Sequence, residues 1–439
     1  MNTHKRALFA IGVAAAALLL GRSQTEAQDG GGSHPPDIGP KPVLPPPKPA
    51  ETVKFSTAGS WPSGKTPSAP QGFRVQRFGE NLVNPRWLYV LPNGDVLVAE
   101  SSTLPKAEKS EEQKQHNELL RQAGNIRTNK NRITLLRDAN HDGVVESQTA
   151  FRGGLNQPFG MLYLNGKLYI ANTDSILQFD FKPGQTSLTG TGKKIAGLPA
   201  GGYNNHWTRN LVANSAGTKI YVAVGSASNV AEHGIQEEQR RANILEMNPD
   251  GTGERIYASG LRNPNAMDWQ GATLWTAVNE RDNLGDDLVP DYITSVREDA
   301  FYGWPYSYWG SNVDSRVKPQ RADLVQKAIA PDFAVGAHTA SLGLAFYRGN
   351  AFPERYRDGA FIAQHGSWNR NAFSGYKVIF VPFRSGRPSM PVEDFLTGFL
   401  ADAAGRTHGR PVGIAVDPSG ALLVADDTGD SVWRVSYSK

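Results

Sequence analysis

The chain of 439 residues contains no cysteine. This absence excludes a disulfide framework, a thiolate zinc site, an iron–sulfur cluster, a haem attached through C-x-x-C-H, and a lipoprotein acylation site. Redox chemistry on this chain would therefore need a cofactor that is held by oxygen and nitrogen groups.

The chain also lacks a strong excess of charge of either sign. It has 46 Lys and Arg against 42 Asp and Glu, a formal net charge of +4, and no long Lys/Arg run. A nucleic-acid partner is therefore not expected.

Long apolar runs are lacking outside the N-terminus. There the basic "MNTHKR" precedes the apolar "ALFAIGVAAAALLL" and a "TEA" that ends at Ala27, which is typical of a secretory signal peptide over residues 1–27. A short membrane anchor is the alternative, although the apolar run is short for a membrane span. We expect a periplasmic or secreted protein whose mature form has no membrane span. Residues 28–69 are rich in Pro and Gly, and this composition predicts an extended linker.

The remaining body, residues 70–439, carries an imperfect repeat of β-hairpins. Each unit has a short apolar strand, a turn built on glycine, and a second apolar strand that ends in small or polar residues. The units begin at Asn84, Gln157, Arg209, Arg262, Ala340 and Arg410. Six units of roughly 60 residues favour an all-β, six-bladed β-propeller with loop insertions as the catalytic domain. A parallel β-helix is the alternative, but its repeats would be shorter and more regular.

Two segments interrupt the repeat. "KAEKSEEQKQHNELLRQAG", residues 106–124, predicts an exposed, charged helix in a loop. In "DANHDGVVE", Asp138, Asn140, Asp142 and Glu146 are spaced as in a calcium loop, but Thr149 stands where such a loop needs its last glutamate. An Asx-type turn between two strands is one interpretation, and a weak calcium site is the other.

Polar clusters stand where the apolar strands begin or end. They are "NNHWTRN" around His206, "GLRNPNAMDW" around Arg262, "NERDNLGDDL" from Asn279, "QHGSWNRN" around Arg370, and "THGRPVG" around Arg410. In a propeller such positions meet around the central channel. Guanidinium groups suit a ligand with several carboxylates, and "ERDNLGDD" offers the hard oxygen ligands that calcium prefers. These residue types predict an anionic cofactor, a calcium ion and one histidine base, although His206 by itself could also be a core histidine with a hydrogen-bond partner.

The ordered motifs "GLRNPNAMDW", "NERDNLGDD" and "YGWPYSYWG" resemble those of the soluble sugar dehydrogenases that use pyrroloquinoline quinone (PQQ), the glucose/sorbosone dehydrogenase family. The resemblance runs from about Gly72 to Tyr437, and "HGSWNR" and "GDDLVP" are most similar to the sorbosone dehydrogenase-like branch. It implies that an aldose or sorbosone-like sugar is oxidised by hydride transfer to PQQ, with Ca²⁺ polarising the quinone and an external electron acceptor taking the electrons.

The resemblance also implies roles for single residues. His206 falls at the general base, and the main-chain carbonyls of Asp282 and Asn283 fall at the calcium ligands. The implied cofactor contacts are Arg262, Asn263, Asn369, Arg370, His408 and Arg410. This chain departs from the glucose dehydrogenases in several places. Asn205 precedes the histidine where they have aspartate, and Asp282-Asn283 replaces a Gly-Pro pair. His408 replaces an arginine, and Asn369 replaces a lysine.

Two other functions are compatible with a propeller. A gluconolactonase-like hydrolase would hold a divalent metal with Glu, Asn and Asp side chains in the channel and would use no quinone, but it has no use for so many arginines. A non-catalytic propeller would bind a partner on one face, and its motifs would be inherited parts of the fold without a catalytic role.

Overall fold

The hairpin repeat forms six small antiparallel sheets that are arranged as a six-bladed β-propeller. The computed structural model describes residues 35–48 and 52–438, so the predicted signal peptide lies outside the described residues. The first strand of each sheet borders the central channel and contacts the first strand of the next sheet. The predicted propeller is confirmed, and the β-helix alternative is wrong.

Each blade has four main strands, ordered from the channel outwards, and blades 1 to 6 follow the chain. The inner strands are Pro85–Val90, Met161–Leu164, Arg209–Ala213, Asn263–Gln270, Ser341–Phe346 and Pro411–Val416. The second strands are Val96–Glu100, Lys167–Ala171, Ile220–Val224, Thr273–Asn279, Gly359–Gln364 and Leu422–Asp426. The third strands are Arg132–Arg137, Ser175–Asp180, Asn243–Met247, Pro290–Ser295, Lys377–Arg384 and Ser431–Tyr437. The outer strands are Ser147–Arg152, Lys193–Gly197, Arg255–Ser259, Phe333–Ala337, Glu393–Leu396 and, for blade 6, Phe73–Gly79.

Blade 6 closes the ring with strands from both ends of the body. Phe73–Gly79 pairs antiparallel with Ser431–Tyr437, so that Phe73 faces Tyr437 and Gln76 faces Arg434. The ladder hydrogen bonds of this blade therefore join the first and last strands of the propeller.

The second strands explain why the sheets stack. "VLVAE", "IYVAV" and "LLVAD" are buried along their whole length, because each blade packs against a neighbour on both faces. Strands that are covered on both faces carry near-continuous apolar runs rather than a strict alternation. This pattern accounts for the incomplete alternation in the sequence repeat.

The connections contain the remaining elements. The predicted insertion forms the α-helix Glu111–Gln122, and the Ser110 side chain caps it by accepting a hydrogen bond from the Gln113 amide (3.2 Å). The other elements are the helix Ala322–Lys327, the 3₁₀ turns Ile235–Glu238 and Glu354–Tyr356, and the short strands Ile38–Gly39, Thr57–Ala58, Ser307–Tyr308, Asn312–Val313, Arg387–Pro388 and Arg406–Thr407. None of the helices within the described ranges combines the length and the apolarity that crossing a membrane requires.

The described part of the predicted linker packs on the propeller. Ile38–Gly39 adds a short strand to the edge of blade 4, with Ile38 opposite Val335. Farther along, the Phe55 ring stacks on Trp368, and Trp61 packs edge-on against Trp433 at 5.2 Å between ring centroids. Aromatic burial thus holds this segment against the blades, and its boundary at residue 69 stays a prediction.

Asp426, at the end of a second strand, ties this segment to the closing blade. Its Oδ2 accepts hydrogen bonds from the indole N–H groups of Trp61 (2.7 Å) and Trp433 (2.9 Å). Its Oδ1 accepts from the amides of Arg410 (2.7 Å) and Gly429 (2.9 Å). The side chain is fully buried, and among its donors Trp61, Trp433 and Arg410 are buried as well.

We expect Asp426→Ala to lower the free energy of unfolding by about 3 kcal/mol or more, because it leaves several buried donors without an acceptor. Guanidinium unfolding at neutral pH measures this loss. Asp394→Ala is the control: Asp394 is exposed and forms a surface ion pair with Lys377 (2.7 Å), so its removal should change stability by about 0.5 kcal/mol at most. Equal losses in the two variants would contradict the anchoring role of Asp426.

Candidate functional site

The strand register gathers the polar clusters at one mouth of the channel, here called the upper mouth. In each antiparallel pair the start of the inner strand lies opposite the end of the second strand, as Asn263 lies opposite Asn279 and Ser341 opposite Gln364. Pro411 lies opposite Asp426 in the same way. The loops that lead into inner strands and those that leave second strands therefore lie together, and these loops carry all five predicted clusters.

His206 lies in the loop that leads into the inner strand of blade 3. The side chain is half-buried, and its Nδ1 lies 2.9 Å from both the carbonyl oxygen and the Oγ of Ser226. The Ser226 hydroxyl donates to the Ser228 carbonyl (2.6 Å). Because a carbonyl can only accept, Nδ1 carries the ring proton, and Nε2 keeps its lone pair.

Burial and the charges of three nearby arginines lower the pKa of this histidine. Burial of the ring lowers the pKa of His206 well below its usual value near 6.5, and the charges of Arg262, Arg209 and Arg241 lower it further. The imidazole is therefore neutral at neutral pH, which is the form that can accept a proton.

Arg209 fixes the shape of the loop around His206. Its guanidinium donates to the carbonyls of His206 (2.7 Å), Thr208 (2.8 Å) and Pro199 (2.6 Å). The side chain is fully buried, and burial together with the charge of Arg241 lowers the pKa of Arg209 to about 9. A buried cation without a carboxylate partner is costly, so this arginine marks a loop conformation that carbonyl groups alone stabilise.

Gly225 allows His206 and Asn263 to approach each other. A Cβ atom at this position would collide with the His206 Cβ and with the Asn263 side-chain oxygen. The Asn263 Oδ1 is itself buried and has no hydrogen-bond partner among the described residues. An unsatisfied acceptor beside the histidine is a group that a bound ligand or water could satisfy.

Arg262 holds the neighbouring loops together through an ion pair. Its Nη2 lies 2.8 Å from the Asp282 Oδ2 and also donates to the Asn229 Oδ1 (2.9 Å). Its Nη1 donates to the Glu280 carbonyl. The other carboxylate oxygen of Asp282, Oδ1, accepts a hydrogen bond from the side-chain amide of Asn369 (3.0 Å). The structure therefore joins Arg262, Asp282 and Asn369 in one network beside His206 and Asn263.

The predicted calcium ligands already contact a cation. The main-chain carbonyls of Asp282 and Asn283 both accept hydrogen bonds from one nitrogen, the Nη1 of Arg316, at 2.8 and 2.9 Å. The Asp282 carbonyl also accepts from the Asn229 side chain (3.0 Å). These two oxygens converge on a guanidinium, which does not fit a calcium ion at the same place.

The other three predicted cofactor contacts also lie in loops of the upper mouth. Arg410 is buried and donates to the carbonyls of His365 (2.9 Å) and Gly366 (3.0 Å). Arg370 pairs with Asp287 (2.6 Å), and the His408 ring packs on Trp61 (5.1 Å). Each of these side chains thus has a partner within the protein, and its contact with a cofactor stays a prediction.

A second buried cluster at the upper mouth was missed in the sequence. The His365 Nε2 lies 2.8 Å from the Asp427 Oδ2, and this oxygen also pairs with Arg86. Burial and the charge of Arg410 lower the pKa of His365 to about 4. Burial tends to raise the pKa of Asp427, but the charges of His365 and Arg86 outweigh it and lower that pKa.

This cluster borders the His206 loop through Trp207, whose ring lies 5.5 Å from the Arg86 guanidinium carbon. The Arg86 Nε, the Asp427 Oδ1 and the Thr428 Oγ1 are buried without a hydrogen-bond partner among the described residues. The sequence does contain a signal for this cluster. "QHG", which opens the cluster around Arg370, and "ADDTG" both stand at the ends of second strands.

The acidic loop of blade 1 uses its carboxylates for main-chain contacts. Asp138 accepts from the amides of Asp142 (3.1 Å) and Gly143 (2.7 Å), and Glu146 accepts from the Ala139 amide (2.7 Å). Oxygens of Asp138, Asp142 and Glu146 lie within 4.8 Å of one another. This is the geometry of an Asx-type turn, and a weak calcium site there stays a prediction.

Two protein relatives show what the chain is similar to. An uncharacterized protein of Borreliella burgdorferi is 33% identical over 297 residues, which cover 65% of this chain and 77% of that protein. The pyrroloquinoline quinone-dependent pyranose dehydrogenase of Coprinopsis cinerea is 24% identical over 339 residues, which cover 62% of this chain. The match spans only 45% of that dehydrogenase.

Solved structures share the fold over nearly their whole length. The holo form of the PQQ domain of the Coprinopsis cinerea pyranose dehydrogenase has a TM-score of 0.68 at 20% identity and covers 87% of this chain and 100% of that chain. The soluble aldose sugar dehydrogenase of Escherichia coli has a TM-score of 0.57 at 17% identity, with 83% and 100% covered. The sequence motifs thus led to the correct group of structural neighbours, while the sorbosone dehydrogenase-like branch is not singled out.

The family described as "Domain of unknown function (DUF7133)" matches residues 63–427. This range includes all six inner strands and every predicted site residue. The chain therefore belongs to the DUF7133 family.

Proposed function

We propose that this protein is a quinoprotein sugar dehydrogenase that works outside the cytoplasm. In this proposal it oxidises the C1 hydroxyl of an aldose or sorbosone-like sugar with PQQ, and an external acceptor takes the electrons. Its catalytic domain is the propeller of residues 70–439, behind a signal peptide of residues 1–27. The names of the relatives support the class of reaction, and the geometry of His206 carries the proposal for this chain.

His206 is suited to remove the hydroxyl proton of the sugar. The Ser226 carbonyl holds the ring proton on Nδ1 at 2.9 Å, so the Nε2 lone pair is left to accept a proton. The surrounding arginines keep the ring neutral in the resting protein. As hydride leaves the sugar carbon, the hydroxyl proton passes to Nε2, and the electron pair of the O–H bond completes the carbonyl.

The residues present fit an anionic, many-oxygen cofactor at the upper mouth. The buried Arg86 Nε and the buried Asn263 Oδ1 have no partner among the described residues. The Nε–H of Arg86 can donate to a ligand oxygen, whereas the Asn263 Oδ1 can only accept, from an N–H or O–H of the ligand. When bound, PQQ supplies the acceptor for the hydride. Arg86 would then bind an oxygen of the cofactor, and Asn263 would position it beside His206.

In this proposal Arg262 and Asn369 do not bind the cofactor themselves but support the residues that do. The Arg262–Asp282 pair and the Asn369–Asp282 hydrogen bond (3.0 Å) orient the loop that follows the second strand of blade 4. Arg262 also lowers the pKa of His206. No step is assigned to calcium, because Arg316 occupies the Asp282 and Asn283 carbonyls.

The lactone-hydrolase alternative needs a metal held by side chains in the channel. Among the described residues, the one group of three His, Cys, Asp or Glu side chains that could hold a metal is Asp138, Asp142 and Glu146, in a loop of blade 1. This group lies in a different loop from His206, and the lactone panel below tests the alternative. A non-catalytic propeller would bind PQQ weakly or not at all.

We expect purified protein supplied with PQQ to reduce an artificial electron acceptor when an aldose or a sorbosone-like sugar is added. A panel of aldoses, ketoses and lactones, each with and without PQQ, distinguishes the three functions. PQQ-independent lactone hydrolysis would favour the hydrolase. The absence of both PQQ binding and turnover across the panel would contradict the enzyme proposal.

We expect His206→Ala to lose turnover by a factor on the order of a hundred or more, because the sugar hydroxyl loses its proton acceptor. PQQ affinity and the thermal midpoint should stay close to those of the unmodified protein. His141→Ala serves as the control, since His141 is exposed in the acidic loop of blade 1. If His206→Ala unfolds, or keeps full turnover when folded, His206 is a structural residue.

In the pH profile of kcat/KM, the fall on the acid side (the acid limb) should lie well below pH 6.5. The lowered pKa of His206 keeps this base unprotonated until the pH is well below that value. Arg241→Met removes one of the charges that lower this pKa, so we expect the limb to move to higher pH. Steady-state rates between pH 4.5 and pH 8 measure both. A limb at or above pH 6.5 in the unmodified protein would assign the base to another group.

A further inference from the structure

Arg316 stands where the family resemblance places a metal ion. A single nitrogen of its guanidinium, Nη1, donates to the main-chain carbonyls of Asp282 (2.8 Å) and Asn283 (2.9 Å). Main-chain oxygens that converge on one point are typical ligands of a hard cation. Here the cation at that point belongs to the chain.

The Asp314 carboxylate holds the guanidinium in this position. The Asp314 carboxylate accepts from the Arg316 Nε (2.9 Å) and Nη2 (2.7 Å), a bidentate pair that fixes the plane of the guanidinium. Asp314 is buried and also pairs with the fully buried Arg281 (3.1 Å). Gln320 donates to the Asp314 carbonyl oxygen (2.7 Å) and holds the same loop.

The ion pairs around the two carbonyls are balanced without a metal. Glu280, Asp282 and Asp314 carry three negative charges, and their partners Arg262, Arg281 and Arg316 carry three positive ones. A calcium ion at the two carbonyls would add two positive charges against Arg316 itself and beside Arg262, and these like charges would repel one another. The site as built therefore disfavours a divalent cation.

We propose that Arg316 replaces calcium in this protein, so that the cofactor site works without a metal ion. This inference rests on the proposed PQQ-dependent function. A guanidinium stabilises negative charge on a nearby oxygen through oriented hydrogen bonds, which serves the same electrostatic purpose as a coordinating metal.

The direct test measures calcium binding to this site by thermal unfolding. All proteins carry Asp142→Asn, which weakens the acidic loop of blade 1 as a competing site. The parent should show the same midpoint in EGTA and in millimolar Ca²⁺. Arg316→Ala should gain a Ca²⁺-dependent rise of roughly 2 °C or more, because the two carbonyls become available to an ion that binds only the folded state.

Arg321→Ala is the matched control, since Arg321 forms an exposed pair with Asp323 (2.7 Å) and should leave the calcium response unchanged. Arg316→Gln, which keeps a side-chain donor, is the second variant if the alanine variant does not fold, and the same gain is expected. A Ca²⁺-dependent rise in the parent itself, or no gain in either folded Arg316 variant, would overturn the proposal.

PQQ binding separates this inference from the proposed function. Equilibrium dialysis of PQQ against the unmodified protein in EGTA should show binding that calcium changes by less than about twofold. Binding that requires calcium would refute the role of Arg316 while leaving the dehydrogenase intact. Absence of PQQ binding with and without calcium would instead refute the proposed function, and the thermal measurement would still decide which cation occupies the Asp282 and Asn283 carbonyls.

Discussion

The antiparallel register of the two innermost strands in each blade is the constraint on which the rest of the structure depends. Because the start of each inner strand lies beside the end of the second strand, polar residues at these positions must collect at one mouth of the channel. The second strands are buried on both faces, where an unpaired polar group is costly. Chemistry is thereby confined to loops that a rigid ring of strands positions.

Arginine has two different uses at this mouth. Arg209 and Arg410 donate mostly to main-chain carbonyls, and they hold loop conformations that no regular strand hydrogen bonds would stabilise. Arg262 and Arg316 instead pair with Asp282 and Asp314, and their charge reaches the neighbouring loop. The abundance of arginine in the motifs thus reflects loop architecture as much as ligand binding.

The fold could be predicted from the sequence because its signals are local. Apolar hairpins recur at six places, and the helix Glu111–Gln122 follows from its composition and its Ser110 cap. The shared mouth of the five clusters also follows once the repeat is recognised. The residues whose roles could not be predicted are those whose partners are distant in the sequence. Arg316 acts on carbonyls 33 and 34 positions away, and His365 meets Asp427 across 62 positions. No short motif encodes such a pair.

The same limit applies to the residues before the propeller. Proline content indicates an extended segment, but the contacts of Phe55 with Trp368 and of Trp61 with Asp426 depend on side chains more than 300 positions away. The sequence shows which residues are able to bind a cofactor, and the structure shows which of them already have partners. Arg410 and Arg316 illustrate the difference, since both are cations near the mouth and only their partners distinguish their roles.

A single-turnover reduction of PQQ tests the central claim most directly. The protein is loaded with one equivalent of PQQ in the presence of EGTA and mixed with an aldose under anaerobic conditions, and the absorbance of the cofactor is followed. We expect the spectrum to change to that of the reduced cofactor in the unmodified protein and to remain that of the oxidised cofactor in His206→Ala. A cofactor that stays oxidised with every sugar, or one that is reduced equally fast in His206→Ala, would contradict a dehydrogenase built around His206.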